Sequence, residues 1–307
     1  MNEKKRILIT GSSGFIGTNL FISLKSQNHD IAVIDRLPNT SFEEVTNYIG
    51  DICDYSFIEK TILDFQPNKV FHLAGYKKRS SNVEEVSSSL KVNLMGTLNL
   101  YQALLNVSCI ESIIALGTTD EYGINNSSFT ESLVENPISP YGFSKFCATQ
   151  LSLFFNRNFN LPVVVLRPTI AYGPFQANDM FIPSLINTLI ANRDFKMTEG
   201  NQLRDFIYIS DLVEAMLLIS ENQNCSGEIF NIGSGKSLKL KDVASTIASG
   251  FNKEYLLKLG SIPYRQNEVM KYTTSIDKVK NTFGWFPKVS FKKGIKLTVK
   301  HYVDNVQ

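Results

Sequence analysis

Arg6-Ile7-Leu8-Ile9-Thr10-Gly11-Ser12-Ser13-Gly14-Phe15-Ile16-Gly17 reads as an apolar strand turning sharply into a helix. Such a turn leaves the first N–H groups of the helix, at Phe15, Ile16 and Gly17, without intrahelical acceptors and exposes the positive end of its dipole, a seat for a diphosphate. Gly11 permits the turn, Gly14 lets backbone approach phosphate, and Gly17 lets the helix lie close on the strand. A plain strand-to-helix turn could carry the same glycines. The surroundings favour the dinucleotide reading: an amphipathic helix runs from Phe15 to Leu24, and a second strand, Ile31-Ala32-Val33-Ile34, ends in Asp35.

An acid at that place, about 20 residues past the turn, accepts from the adenosine ribose 2′-OH and repels a 2′-phosphate. Asp35 therefore favours NAD(H). The adjacent Arg36 offers a guanidinium to a 2′-phosphate and keeps NADP(H) possible. Otherwise the two form a solvated pair at the start of a loop.

The 307 residues suffice for one large α/β domain, or for a nucleotide domain with a smaller lobe. A net charge of +2 gives no ground for nucleic-acid or membrane-surface binding. No apolar run reaches the ~18 residues of a bilayer span, and the polar Asn2–Arg6 start is not a signal peptide. Cys53, Cys109, Cys147 and Cys225 lack ligand spacing and read as reduced, mostly buried thiols of a cytoplasmic protein. Together with His29, His72 and His301 they make no metal site, and His72 reads as a buried strand residue.

Strand-like runs at 6–10, 31–35, 69–73, 111–116 and 162–167 alternate with helical stretches near 14–27, 54–65, 84–107 and 138–158. This alternation predicts a doubly wound parallel sheet with helices on both faces, whose ligands sit beyond the carboxyl ends of its strands. Past Pro168 the rhythm loosens. Helices are expected near 181–192, 211–221, 239–250, 275–283 and 291–303, with short strands near 195–198, 206–209 and 228–232.

Tyr141-Gly142-Phe143-Ser144-Lys145 puts a phenol and an amine four apart on one helical face. A lysine cation favours phenolate, so the pair can move a proton at a hydroxyl while hydride moves to or from nicotinamide. Alone, this spacing is common on surface helices. Thr118, ending a strand in Leu116-Gly117-Thr118-Thr119-Asp120-Glu121-Tyr122-Gly123, supplies a hydroxyl that can orient the same substrate oxygen.

With these motifs the chain resembles the extended short-chain dehydrogenase/reductase family, in its nucleotide-sugar epimerase, dehydratase and ketoreductase branch. The resemblance runs through Gly11-x-x-Gly14-x-x-Gly17, Gly50-Asp51-Ile52, His72-Leu73-Ala74-Gly75, Asn93-x-x-Gly96-Thr97, Tyr141-x-x-x-Lys145, Leu166-Arg167-Pro168, Tyr172-Gly173-Pro174, Arg204-Asp205-Phe206-Ile207-Tyr208 and Asn231-Ile232-Gly233-Ser234-Gly235. It implies a Rossmann-type NAD(P) domain over 1–170 and a smaller mixed α/β nucleotide-sugar lobe over 171–307. Thr118, Tyr141 and Lys145 become the catalytic triad. Asp51 and Ile52 face the adenine, Leu73, Ala74, Gly75 and Asn93 line the cofactor, and Pro168 and Ile170 border the nicotinamide. Thr118 and Thr119 meet the sugar, Arg204 and Arg265 grip the pyrophosphate of a nucleotide-diphosphate sugar, and Glu268 holds its ribose. A loop ion pair between Arg204 and Asp205 is the competing reading. The family also implies a homodimer through helices 84–107 and 138–158, with Leu94, Leu98, Ala148 and Leu151 in the seam.

Branches of the family differ in the chemistry that accompanies hydride exchange at the sugar's C4. A 4,6-dehydratase needs an acid and a base beyond the tyrosine. Here Asp120 and Glu121 fall one position late relative to the dehydratase pattern. Ile170 stands where galactose-type epimerases keep an asparagine. The expectation is a reductase of a 4-keto-6-deoxyhexose nucleotide, with a 4-epimerase and then a 4,6-dehydratase as alternatives.

Overall fold

The computed structural model describes residues 4–38, 45–78, 82–125, 128–265 and 268–305. The opening run is β1 (Arg6–Thr10), and after the glycine turn comes α1 (Phe15–Lys25). β2 (Asp30–Asp35) and the short polar β3 (Thr46–Ile49) are next, then α2 (Tyr55–Phe65) and β4 (Lys69–His72). α2 starts on Asp54, whose carboxylate accepts from Phe57 N at 3.2 Å, and stops on Gln66 in the left-handed conformation, φ 51°.

The expected helix 84–107 is three segments: α3 (Glu84–Leu90), a π turn at Lys91–Met95, and α4 (Gly96–Leu104). β5 (Ser112–Leu116), α5 (Pro140–Phe159) and β6 (Val163–Pro168) complete the alternation. β7 (Ile170–Tyr172), α6 (Phe181–Ile190), β8 (Phe195–Lys196), β9 (Leu203–Tyr208), α7 (Ile209–Ser220) and β10 (Ile229–Ile232) come next. The chain ends with β11 (Ser237–Lys239), α8 (Leu240–Ser249), β12 (Leu257–Lys258), α9 (Asp277–Phe283) and α10 (Phe291–Asp304). Strands β3, β7, β11 and β12 had no signal in the sequence reading.

The main sheet has seven strands in the order β10-β6-β5-β4-β1-β2-β3. Every pairing from β6 to β3 is parallel, with Ile7 opposite both Ile31 and Lys69. This is the doubly wound sheet that the sequence predicts. Its order reverses between β1 and β4, which opens a crevice beyond their carboxyl ends. One face packs Leu8, Ile34, Val70 and Val165 against Ile58, Ile62, Leu100 and Phe155.

The chain forms two compact units. The first comprises Met1–Gly123, Glu131–Arg167 and Val213–Phe230; the second comprises Ile124–Thr130, Pro168–Leu212 and Asn231–Gln307. Within the second, β9 lies between parallel β7 and antiparallel β11, and β8 pairs with β12. Tyr172, Phe206, Tyr208 and Phe291 make an aromatic cluster there, with Tyr172 and Tyr208 centroids 5.6 Å apart.

The cysteines carry free thiols, but only Cys225 is buried; Cys53, Cys109 and Cys147 are half-exposed, which corrects the mostly buried expectation. Burial and Asp51 push the Cys53 thiol up to about 11, away from thiolate reactivity. Among the described residues, no helix is long and apolar enough to cross a membrane, and no cluster of His, Cys, Asp or Glu is arranged for a metal ion.

Candidate active site

The glycine turn closes over the crevice. Gly11 has φ +74°, and a Cβ there would stand 2.7 Å from Ala74 N, so this glycine lets the turns after β1 and β4 touch. A Cβ on Gly17 would stand 2.4 Å from Gly11 O, which jams α1 against the turn. Gly14 is exposed at the mouth of α1, whose first N–H groups, at Phe15, Ile16 and Gly17, lack intrahelical acceptors as helix geometry requires. Asp35, at the end of β2, is buried and bound to Ser12 and Ser13 of the turn. Arg36 and Asp51 are exposed. Ile52 is buried against α4, where a Cβ on Gly96 would come within 2.7 Å of it.

On the β4 side of the crevice His72 is buried, as the sequence reading holds. Its ring joins two threonines: Thr10 Oγ1 lies 2.8 Å from Nδ1 and Thr97 Oγ1 lies 2.9 Å from Nε2. The other partners fix the direction of each bond. Ala74 N–H donates to Thr10 Oγ1 at 3.1 Å, and Thr97 Oγ1 donates to Asn93 O at 2.6 Å. Thr97 has given its proton, so Nε2–H donates to it, and in the neutral ring Nδ1 accepts from Thr10. Burial, with nearby Lys145 adding to it, drives its pKa down to about 3. His72 is a strut between the end of β1 and the start of α4, not a proton-transfer group.

The π turn carries Asn93, and π turns occur often at functional sites. Asn93 Oδ1 accepts from Tyr76 N at 2.7 Å, while its Nδ2 donates to Tyr76 O at 2.9 Å and Ser144 Oγ at 2.8 Å. Ser144 Oγ donates in turn to Tyr141 O at 2.8 Å. Asn93 thus ties the segment after Gly75 to the start of α5.

That start is set locally. Ser139 caps α5 by accepting from Gly142 N at 3.0 Å, and Pro140 takes the first helical position. A Cβ on Gly142 would stand 2.7 Å from Asp120 O, so the glycine lets α5 rest on the Thr119–Glu121 turn. Lys145 is buried on the same helix and donates to Leu116 O at 2.7 Å. The structure therefore brings Thr118, Tyr141 and Lys145 to the carboxyl end of β5.

Burial pulls the Lys145 amine down to about 8; Glu121 opposes this and Lys77 adds to it. Lys77 Nζ also lies over the Tyr141 ring, 5.6 Å from its centroid. Lys77 was not singled out in the sequence. Gly75 is exposed, and a Cβ there would sit 3.1 Å from Asn93 Oδ1 and 3.5 Å from Lys145 Nζ. Gly11 against the Ala74 backbone and the exposed Gly75 leave this part of the crevice without side chains, room that fits the close approach of a dinucleotide.

Thr118 is buried and caps the turn Thr119–Glu121, in which Thr119 is buried and Asp120 half-buried. Its Oγ1 accepts from Asp120 N at 3.2 Å, so its own proton remains to be given. Its N–H donates to Glu121 Oε1 at 2.8 Å. The Thr-x-x-Glu spacing was a capping-box signal that the sequence reading missed. Glu121 is completely buried, and Arg167 bridges it at 2.7 Å and Glu135 at 2.6 Å. Burial raises the Glu121 carboxyl against the pull of Arg167 and Thr118 N–H. Burial also works against the Arg167 charge, but Glu121 and Tyr122 outweigh it.

In the second unit, Arg204 lies on β9, not on a loop. It pairs with Glu268 and not with Asp205, which corrects the ion-pair alternative. Its Nη1 also donates to Leu203 O and Val269 O, both at 2.7 Å, and its guanidinium lies 5.0 Å from the Tyr272 ring centroid. Asp205 accepts instead from Ser234 and Gly235, and burial raises its pKa to about 6. Arg265 is exposed, Pro168 buried and Ile170 half-buried.

Residues 7–233 match the NAD dependent epimerase/dehydratase family. The sequence is 30% identical to the dTDP-D-glucose 4,6-dehydratase of Homo sapiens, over 98% of this chain and 91% of that one. The fold is similar to the UDP-glucose 4-epimerase of Thermotoga maritima solved with UDP-glucose, at TM-score 0.91 and 29% identity over 98% of this chain and 100% of that one. It is also similar to the Thermus thermophilus UDP-glucose 4-epimerase in complex with NAD, at TM-score 0.89 and 26% identity, with 98% and 100% covered.

Proposed function

The chain belongs to the NAD dependent epimerase/dehydratase family, and from that premise we propose that it is a nucleotide-sugar 4-epimerase. NAD(H) is the cofactor of this enzyme class, and when bound it supplies the acceptor and donor of hydride. The turn Gly11–Gly17 with Phe15 and Ile16 would hold its diphosphate, and Asp35 its adenosine ribose. Asp51 and Ile52 would meet the adenine; Leu73, Ala74, Gly75 and Asn93 would form the floor, with Pro168 and Ile170 at the nicotinamide.

Tyr141 takes the proton of the sugar's C4 hydroxyl and later returns one to the 4-keto oxygen. Thr118 donates a hydrogen bond from its hydroxyl to that oxygen and keeps its proton, and Lys145 supplies a cation beside the phenol. Thr119 lines the sugar; Arg204 and Arg265 hold the diphosphate and Glu268 the ribose, so that Arg204 exchanges Glu268 for phosphate on binding.

The burial of Glu121 carries the choice of reaction. A dehydratase needs an acid and a base for the C5 proton and C6 hydroxyl, and Glu121 is spent on Thr118 N–H and Arg167. With Glu121 committed, the pair of acids that elimination needs is incomplete, so the site suits hydride exchange without elimination. The expectation of a 4-keto reductase yields to the epimerase because the chain's relatives include epimerases and dehydratases. Ile170 in place of the epimerase asparagine keeps the reductase as the second reading.

Incubating the protein with UDP-glucose, dTDP-glucose and their 4-keto-6-deoxy derivatives, with and without NADH, separates these. Interconversion to the C4 epimer without net NADH consumption supports the proposal. A 4-keto-6-deoxy product means a dehydratase. Stoichiometric NADH oxidation with a 4-keto-6-deoxy substrate, and no epimer, means a reductase.

The π turn with α4 and α5 also suits a homodimer: Leu94 is half-buried and Met95 is 45% exposed, whereas Leu98 and Leu151 pack partly on the chain's own core and Ala148 is already covered within it. Light scattering giving only monomer at micromolar concentration would remove this reading.

A further inference from the structure

Asp35 does not wait for its ligand alone. Ser12 Oγ donates to its Oδ2, Ser13 Oγ donates to its Oδ1 at 2.7 Å, and Ser13 N–H straddles the two oxygens at 3.3 and 3.2 Å. The two serines differ in freedom. Ser12 is completely buried, with α1 against its backbone: a Cβ on Gly17 would stand 2.6 Å from Ser12 Cα, and Thr18 Oγ1 donates to Ser12 O at 3.3 Å. Ser13 is exposed.

A carboxylate offers about four acceptor positions, and the clasp fills three of them. A ribose diol needs two acceptors, so one clasp donor must leave when it arrives. The exposed Ser13 hydroxyl can turn to water; the buried Ser12 hydroxyl has no water to turn to.

We propose that Ser12 is a cofactor-specificity residue, pinning Asp35 from below so that its charge stays aimed at the ribose 2′ position, while the Ser13 hydroxyl only occupies the place of a ribose hydroxyl. This rests on the reading of Asp35 as the ribose acceptor. An unpinned carboxylate could rotate away from a 2′-phosphate and leave the exposed Arg36 to pair with it. Discrimination against NADP(H) therefore depends on a buried hydroxyl that need not touch the cofactor.

The test is calorimetric titration of the nucleotide-free full-length protein with NAD+ and NADP+, for the wild type, Ser12→Ala, Ser13→Ala, Asp35→Ala and Ser12→Ala/Asp35→Ala. The wild type should prefer NAD+. Ser12→Ala should lower the Kd(NADP+)/Kd(NAD+) ratio about tenfold, the scale of one hydrogen bond to a charged group. Ser13→Ala should keep the ratio within about twofold. Ser12→Ala should add nothing in the Asp35→Ala background. A wild-type ratio in Ser12→Ala, with a collapsed ratio in Asp35→Ala, overturns the role of Ser12 and spares that of Asp35. An unchanged ratio in Asp35→Ala overturns both. Equal losses in Ser12→Ala and Ser13→Ala overturn the division of labour between the serines.

Discussion

Two arginine–glutamate pairs sit in the two units, and they are built for opposite purposes. Arg167 and Glu121 have no exposed side-chain surface, and Glu121 spends its second oxygen on Thr118 N. Arg204 and Glu268 keep 14% and 16% of theirs exposed, beside two backbone carbonyls and a tyrosine face. A buried pair cannot exchange partners without stranding a charge, so it fixes geometry. A pair that keeps part of its surface exposed can trade its carboxylate for a phosphate, because the guanidinium stays paired through the exchange. The same two residue types thus make a permanent brace in one place and an exchangeable grip in the other.

The largest expected effect separates the pairs by stability. Arg167→Leu strands Glu121 and Glu135 and should cost ~3–5 kcal/mol in urea unfolding. Arg204→Leu should cost less, about 1–3 kcal/mol, because Glu268 keeps some access to water when its partner is lost. Similar losses at the two sites would end the distinction.

Chemistry served by the brace comes next. Tyr141→Phe removes the transferable proton and keeps the ring, so turnover should fall about 10²-fold or more with cofactor affinity kept. Near-wild-type turnover would take the acid/base role away from Tyr141. The exchangeable grip predicts a binding defect instead. Arg204→Ala should raise KM roughly 10- to 150-fold, the range of a lost charge-assisted contact of ~1.5–3 kcal/mol. Unchanged KM with a lowered melting temperature would make Arg204–Glu268 structural and pass the diphosphate to Arg265.

The two pairs also mark where sequence reading succeeds. Strands β1, β2 and β4 with their turns, and Tyr141 with Lys145, were legible because their signals are local: glycine spacing, apolar runs and a four-residue helical step. Glu121 was weighed as a dehydratase acid because its partner Arg167 is 46 residues away and no local pattern announces it. The competing reading of Arg204 and Asp205 as an ion pair presumes a loop. On β9 adjacent side chains point to opposite faces, so Arg204 goes to Glu268 and Asp205 to Ser234. β3, Thr-Asn-Tyr-Ile at the sheet edge, has neither alternation nor an apolar run to betray it. The π turn in the expected long helix is held partly by Thr97 and His72, a contact between distant segments.

The smallest effect tests whether the buried brace also tunes the site. Lys145, at about 8, is charged below that pH and neutral above it, so turnover that needs the cation should decline as pH rises through about 8. Glu121 raises the Lys145 pKa and Lys77 lowers it. Glu121→Gln should therefore move the alkaline limb of the kcat profile to lower pH, and Lys77→Met should move it to higher pH. Both side chains lie on the Lys145 side of the chemistry, whereas Glu268 belongs to the other pair; Glu268→Gln should change KM and leave the limb in place. Opposite shifts from Glu121→Gln and Lys77→Met cannot come from a general loss of stability, which would lower the rate at every pH. Limbs that stay together in all three variants would mean that the group titrating there is not Lys145.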